Sequence, residues 1–190
     1  QARKLIEGGS VTVEGAVVTK AGHAVSEGAA IEVVLPVVPD LDLLAEVTTR
    51  SVRLKALIVS SDPEERGLRA ILNYGHTIGH AIESVTGYSE YLHGEAVSIG
   101  MMGAARIAQR IGLIGEEFVA SQADVLRSFG LPIQAQGLAS MAVLDATRMD
   151  KKVQGGRARF VLLEGVGRAV VRDDVPEDVI EETIRSLVAS

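Results

Sequence analysis

Three of the four histidines in this chain, His76, His80 and His93, fall within 18 consecutive residues. They belong to the run Arg69-Ala-Ile-Leu-Asn-Tyr-Gly-His-Thr-Ile-Gly-His-Ala-Ile-Glu83 and its continuation Leu92-His-Gly-Glu-Ala-Val-Ser-Ile-Gly-Met101. The apolar positions Ile71, Leu72, Ile78, Ala81 and Ile82 predict a helix over 69–83. On such a helix residues four apart project within about 40° of each other, so His76 and His80 share a face. Arg69, Asn73, His76 and His80 follow steps of four, three and four, which makes one polar stripe of a cation, an amide and two imidazoles. The stripe suits an oxyanion, and two imidazoles on one face are half of a metal site.

Gly75 and Gly79 each cost a helix about 1 kcal/mol relative to alanine. Two of them in adjacent turns predict close approach by another backbone or by a ligand. After the turn signal at Thr86-Gly-Tyr-Ser89, His93 opens a second apolar helix to about Gly112 and can return a third nitrogen towards the first pair. Neutral imidazole suits zinc and its first-row neighbours. On the residues alone, His76 and His93 are the candidate metal ligands, with Lys55, Arg69 and Lys151 or Lys152 as cations for a substrate bearing carboxylate and phosphate.

The same residues resemble the C-terminal domain of the 3-dehydroquinate synthase family, whose pattern R-x-x-L-N-x-G-H-(S/T)-x-G-H-A-I-E followed by L-H-G-E-x-V-x-x-G-M is reproduced almost letter for letter. The likeness extends to Ser51-Val-Arg-Leu-Lys-Ala56, Ser61-Asp-Pro-Glu-Glu-Arg-Gly-Leu-Arg69, Met149-Asp-Lys-Lys152 and Arg159-Phe-Val-Leu-Leu163, covering about residues 40–190. It implies a mainly α, multi-helix domain. It also implies conversion of 3-deoxy-arabino-heptulosonate 7-phosphate to 3-dehydroquinate with release of phosphate, the second step of the shikimate pathway to chorismate and the aromatic amino acids. NAD serves catalytically in that lyase reaction, and zinc or cobalt binds the hydroxyls being oxidised. Position for position, the resemblance makes His76 and His93 metal ligands. It makes Lys55, Arg69, Asn73, His76, His80, Lys151 and Lys152 substrate contacts, the choice between the two last lysines staying open. Glu65 and His80, with Lys55 beside the substrate, become the catalytic set, the first two handling protons.

The chain also departs from that pattern. The family's NAD sits on an N-terminal α/β domain with a Gly-rich turn, and no strand, Gly-rich turn and helix of that kind is found here. The family's third metal ligand is a glutamate in a G-x-x-E-V-(I/V)-K helix expected before residue 40; Ala45-Glu46-Val47 echoes it in the wrong place. Catalytic zinc normally has three protein ligands, so this chain alone is expected to bind metal weakly and NAD hardly at all. A partner chain or a homodimer would supply the missing half, or the chain is a truncated or rearranged gene product.

Residues 1–39 read as a separate small α+β module. A helix end over 1–8 is stopped by Gly8-Gly9, and β-like runs follow at 11–14, 16–20 and 31–35. This stretch resembles an S4-type RNA-binding domain through A-R-K-L-I-E-x-G-x-V-x-V-x-G-x-x-V-x-K, with Arg3, Lys4 and Lys20 facing phosphates if RNA is bound. Those three cations meet four glutamates in the module, a balance that favours a small appendage over an RNA binder. A non-catalytic helical scaffold carrying an RNA-binding piece is the alternative reading for the whole chain.

Pro36-Val-Val-Pro39 marks the boundary. Beyond it, Asp40 can cap a helix with Leu44, Val47, Leu54 and Ile58 at helical intervals, placing Lys55 on the same body as the histidines. Further helices are expected at 116–129, 138–152 and 176–188, with a hairpin over 158–163 and 168–171. With 47% hydrophobic residues the chain should be globular, and its net charge of -6 suggests no membrane or overall nucleic-acid partner. It has no cysteine, hence no disulfide or thiolate metal site, which fits a reducing compartment, and no apolar run long enough for a membrane span; the expectation is a cytoplasmic protein.

Overall fold

The structure is a computed structural model that describes residues 2–34, 41–64, 67–153 and 158–189; the side chains of Lys4, Asp150, Lys151, Lys152, Val153 and Ala189 also lie outside the description. The chain divides into two compact units, Gln1–Pro39 and Asp40–Ser190.

In the first unit, α1 (Ala2–Glu7) is closed by Gly9 at φ 73°, with Gly9 N–H donating to the Ile6 carbonyl and Ser10 N–H to that of Leu5. Strands β1 (Val11–Val13), β2 (Ala16–Val17) and β3 (Ile31–Val33) make an antiparallel sheet in the order β2-β1-β3. Glu14 and Gly15 both have positive φ, which is the tight two-residue turn that matches strand twist. Among the described residues of this unit, Val11 and Val18 are the buried hydrophobic ones.

The second unit is helical. It runs from α2 (Leu41–Ser61) through a 3-10 turn (Leu68–Asn73) to α3 (His76–Val85), α4 (His93–Arg110), α5 (Glu116–Ser128) and α6 (Ser140–Val153). The hairpin β5 (Phe160–Gly165) and β6 (Arg168–Arg172) follows, then α7 (Glu177–Leu187). The mainly α class with a small S4-like α+β piece at the N-terminus is therefore as the sequence predicts. One pairing has no forerunner in the pattern: β4 (Ala135–Gln136) lies parallel to β7 (Val188–Ala189). Two-residue strands more than 50 positions apart carry no periodic signal.

The core forms where α3 and α4 meet each other and α6, α7 and β5. Ile78, Ile82, Ile99, Ile107, Leu144 and Phe160 are each almost wholly excluded from solvent, and each such side chain contributes about 1.5–3 kcal/mol of burial. Glycines set the distance between α3 and α4. A β-carbon on Gly79 would lie 3.1 Å from Val97 Cα, and one on Gly100 would overlap the Gly75 carbonyl oxygen. The expectation of close backbone approach at Gly75 and Gly79 is met by α4.

The expected continuous helix over 69–83 is not what forms. Residues 68–73 wind as a 3-10 turn, Tyr74 is extended at φ -57° and ψ 122°, and Gly75 has φ 82°. A left-handed residue cannot continue a right-handed helix, so α3 starts afresh at His76. The four-residue stripe is broken between Asn73 and His76, and the helical stripe that exists is His76, His80 and Glu83.

Candidate metal and substrate site

Each histidine stands at a defined point of the α3–α4 junction. His76 is the first residue of α3, directly after the Gly75 bend, and His80 lies one turn on. His93 is the first residue of α4, whose start is fixed by the Glu95 carboxylate accepting the Leu92 N–H at 2.8 Å. The bend before His76 is itself tied down. The Tyr74 hydroxyl donates to Gln122 Oε1 at 2.7 Å, Gln122 Nε2 donates to the Met101 carbonyl at 3.0 Å, and burial pushes the Tyr74 phenol far above its ordinary pKa. Tyr74 thus remains neutral and locks the turn to α4 and α5.

The three imidazoles converge. Ring centroids are 5.3 Å apart for His76 and His80, 5.4 Å for His76 and His93, and 6.0 Å for His80 and His93. His76 is half-buried, His80 and His93 are exposed, and Glu83 beneath them is buried.

Hydrogen bonds decide which nitrogen each ring offers. His76 Nδ1 is 3.3 Å from the Tyr74 carbonyl oxygen, which can only accept, so Nδ1 carries the proton and Nε2 keeps a lone pair. Burial holds the His76 pKa below its ordinary value, the like-charged His80 and His93 adding to this against the opposing pull of the Tyr74 carbonyl and Glu83. A ring kept neutral with a free Nε2 is the form that binds a divalent metal. His93 Nδ1 lies 3.1 Å from Glu83 Oε1, so its Nε2 is likewise the nitrogen left over. Imidazole nitrogens beside a carboxylate, with no thiolate, fit zinc or cobalt. One donor atom from each of His80, Glu83 and His93 also lies within 4.8 Å of the other two.

The remaining predicted site residues are distributed differently. Lys55 is exposed on α2. Arg69 has its backbone N–H held by Asp62 Oδ2 at 3.0 Å, and its guanidinium donates to the Pro63 carbonyl at 3.4 Å, on the α2 side of the 3-10 turn. Asn73 is exposed at the end of that turn. Glu65 lies outside the described residues, as do the side chains of Lys151 and Lys152. Glu46, the echo of the family's third ligand, is exposed and paired with Arg50. In the N-terminal unit Arg3 is exposed and paired with Glu7 at 2.8 Å, while the Lys4 side chain is outside the description.

Three residues of the site were absent from the sequence candidates. Glu83 closes the motif and stands seven residues from His76 and three from His80, a helical spacing that could have flagged it. Tyr74 and Gln122 act from 48 positions apart, and no local pattern links them.

Comparison with known proteins places this geometry in a family. A sequence model described as 3-dehydroquinate synthase C-terminal matches residues 18–153, and a model of the S4 domain matches residues 1–31, the two overlapping at 18–31. A 3-dehydroquinate synthase of Nitrosospira multiformis is 45% identical over 150 residues, which are 79% of this chain and 41% of that protein. One of Nostoc punctiforme is 46% identical over 147 residues, 77% of this chain and 40% of that protein. Among solved structures, 2-epi-5-epi-valiolone synthase from Streptomyces hygroscopicus, with NAD+ and Zn2+ bound, is similar with a TM-score of 0.66 and 28% identity over 75% of this chain and 39% of its own. A 2-deoxy-scyllo-inosose synthase complexed with carbaglucose-6-phosphate, NAD+ and Co2+ is similar with a TM-score of 0.60 and 30% identity over 70% of this chain and 38% of its own. The chain spans about two fifths of the length of these relatives. It belongs to the 3-dehydroquinate synthase family, through that family's C-terminal domain.

Proposed function

We propose that this chain carries the metal- and substrate-binding part of a 3-dehydroquinate synthase, acting on the phosphorylated sugar acid 3-deoxy-arabino-heptulosonate 7-phosphate in the cytoplasm. The carrying observation is the convergence of His76, His80 and His93 at the α3–α4 junction, with centroids no more than 6.0 Å apart. Nε2 of His76 and of His93 would hold a divalent zinc or cobalt ion, which when bound supplies Lewis acidity at the substrate hydroxyls. His80, exposed and within ring contact of both, would move a proton at the substrate, with Glu65 as its proposed companion. Lys55, Arg69, Asn73 and one of Lys151 and Lys152 would hold the anionic ends of the substrate and the charge that develops as phosphate leaves. NAD binds to polypeptide other than these 190 residues, supplied by the relatives' equivalent of the remaining three fifths or by a partner chain.

The cyclitol synthases are the neighbouring reading, since the two similar solved structures are such synthases and one of them is complexed with carbaglucose-6-phosphate. The relatives named 3-dehydroquinate synthase are 45% and 46% identical, against 28% and 30% for the two cyclitol synthases, which favours the sugar acid. For RNA binding by residues 1–31, the pairing of Arg3 with Glu7 removes one of the three cations on which that reading relies.

The test is reconstitution. This chain mixed with a separately expressed NAD-binding part of a close relative, plus NAD and cobalt, should release phosphate from the heptulosonate phosphate. His80→Ala and His93→Ala should each remove that release. If the mixture forms a stable complex and yet turns over a cyclitol precursor, or nothing, the assignment to this sugar acid fails.

A further inference from the structure

Among the described residues of the site, the buried carboxylate of Glu83 has no role in the reading above. Glu83 is 7% exposed, sits on α3 on the same face as His76 and His80, and reaches across to the start of α4. Its Oε1 is 3.1 Å from His93 Nδ1, while the His93 side chain itself is 60% exposed.

We propose that Glu83 is a positioning residue, whose carboxylate accepts the Nδ1–H of His93 and so turns the Nε2 lone pair of that ring into the space shared with His76 and His80. Placing an ionised carboxylate out of water is unfavourable unless it is hydrogen-bonded, and His93 Nδ1–H supplies that bond. The gain for His93 is orientation. It is the first residue of α4 and mostly exposed, so without the bond its ring could rotate and exchange tautomers. A carboxylate behind a ligating imidazole fixes its tautomer and its orientation. His76 is held in the same way by the Tyr74 carbonyl, so α3 provides one imidazole and the brace for the other. A metal bound directly by Glu83 and by His93 Nδ1 would require that nitrogen to be without its proton. The two arrangements therefore differ in an observable.

The inference rests on the metal-site reading above only in its second arm. In the first arm, long-range proton–nitrogen correlation spectra of the nitrogen-15-labelled, metal-free chain at a pH of about 8, where ordinary imidazoles are neutral, report which ring nitrogen carries the proton. His93 is expected to be protonated at Nδ1, and Glu83→Ala should shift it towards the Nε2–H form. Glu83→Gln keeps an acceptor oxygen and should retain more of the native tautomer; it also serves if the alanine variant does not fold.

In the second arm, cobalt titration followed by visible absorption should show affinity falling about 10- to 100-fold in Glu83→Ala, and by less in Glu83→Gln. A wild-type His93 protonated at Nε2 overturns the inference, as does cobalt affinity unchanged in folded variants. If the wild-type chain takes up no cobalt even when reconstituted with the NAD-binding part, while His93 carries its proton on Nδ1 in a Glu83-dependent way, the positioning role stands and the metal reading falls.

Discussion

Helices α2 and α4 are of similar length, 21 and 18 residues, and each carries a residue of the predicted site, Lys55 on one and His93 on the other. Their surroundings are opposite. In α2 only Ile58 is buried, and Leu41, Val52, Leu54 and Leu57 are 59% exposed or more. In α4 ten residues are buried, six of them glycine or alanine. The helix richer in leucine and valine is the peripheral one, while the helix built on small residues is the centre of the unit. Small side chains let α3, α5, α7 and β5 approach α4 on several sides, and neighbours at close range bury more than large side chains without them. The histidines converge where that approach is tightest. A site built there inherits the rigidity of two backbones in contact, whereas Lys55 stands on a helix whose one buried residue is Ile58.

The largest expected effect is therefore at the contact itself. A β-carbon on Gly100 would overlap the Gly75 carbonyl oxygen and stand 2.8 Å from the Gly79 nitrogen. Both are backbone, so no rotamer change relieves the overlap. Gly100→Ala should cost about 3 kcal/mol or more, beyond the usual range for overpacking, and should displace His76 together with Gly75. Urea unfolding followed by circular dichroism measures the loss; a midpoint close to wild type would show that the helices are farther apart than described. Ile99→Ala, one position earlier on α4 at a side chain that is 0% exposed, should cost about 2–5 kcal/mol through lost burial and a cavity, with the histidines left in place.

Much of this frame could be read in the sequence. The helix limits for α4, α5, α6 and α7 followed from apolar period and capping residues, and the three histidines of the motif come together because they lie on two consecutive helices. Gly75 defeated the reading of 69–83. A glycine within an apolar helical period is compatible with continued helix, with close packing, or with a left-handed bend, and only the partner backbone of α4 decides among them. The packing was foreseen and the bend was not, so Arg69 and Asn73 were placed on a stripe with His76 that the chain interrupts. Glu83 was overlooked for a related reason: its role depends on His93, ten residues on across a turn.

A smaller effect separates the site from the helix that bears it. With its folded pKa held below the ordinary value by burial first, then by His80 and His93, His76 accepts a proton less readily in the folded chain than in the unfolded one. Its contribution to stability is complete above the unfolded value of about 6.5 and is lost as pH falls from there through the depressed folded value. The loss should be well below that of Ile99→Ala, because the ring is only half-buried and solvent screens it. Urea midpoints at a pH of about 7.5 and about 5.5 should differ less in His76→Gln than in wild type. An equal pH response in the two proteins would place the titrating group elsewhere.

The smallest effect is expected on α2. Leu57 is 66% exposed, next to Ile58 at 8%, so adjacent positions on one helix face opposite environments. Leu57→Gln retains good helix propensity and removes a side chain that already meets water, so it should change stability by no more than about 0.5 kcal/mol. Only a surface that covers Leu57 in solution could make the substitution costly, and one supplied by another molecule of the chain would do so in a concentration-dependent way. A loss above about 1 kcal/mol that grew with protein concentration would therefore break the contrast between the helices, by showing that the apolar face of α2 is buried in a homodimer.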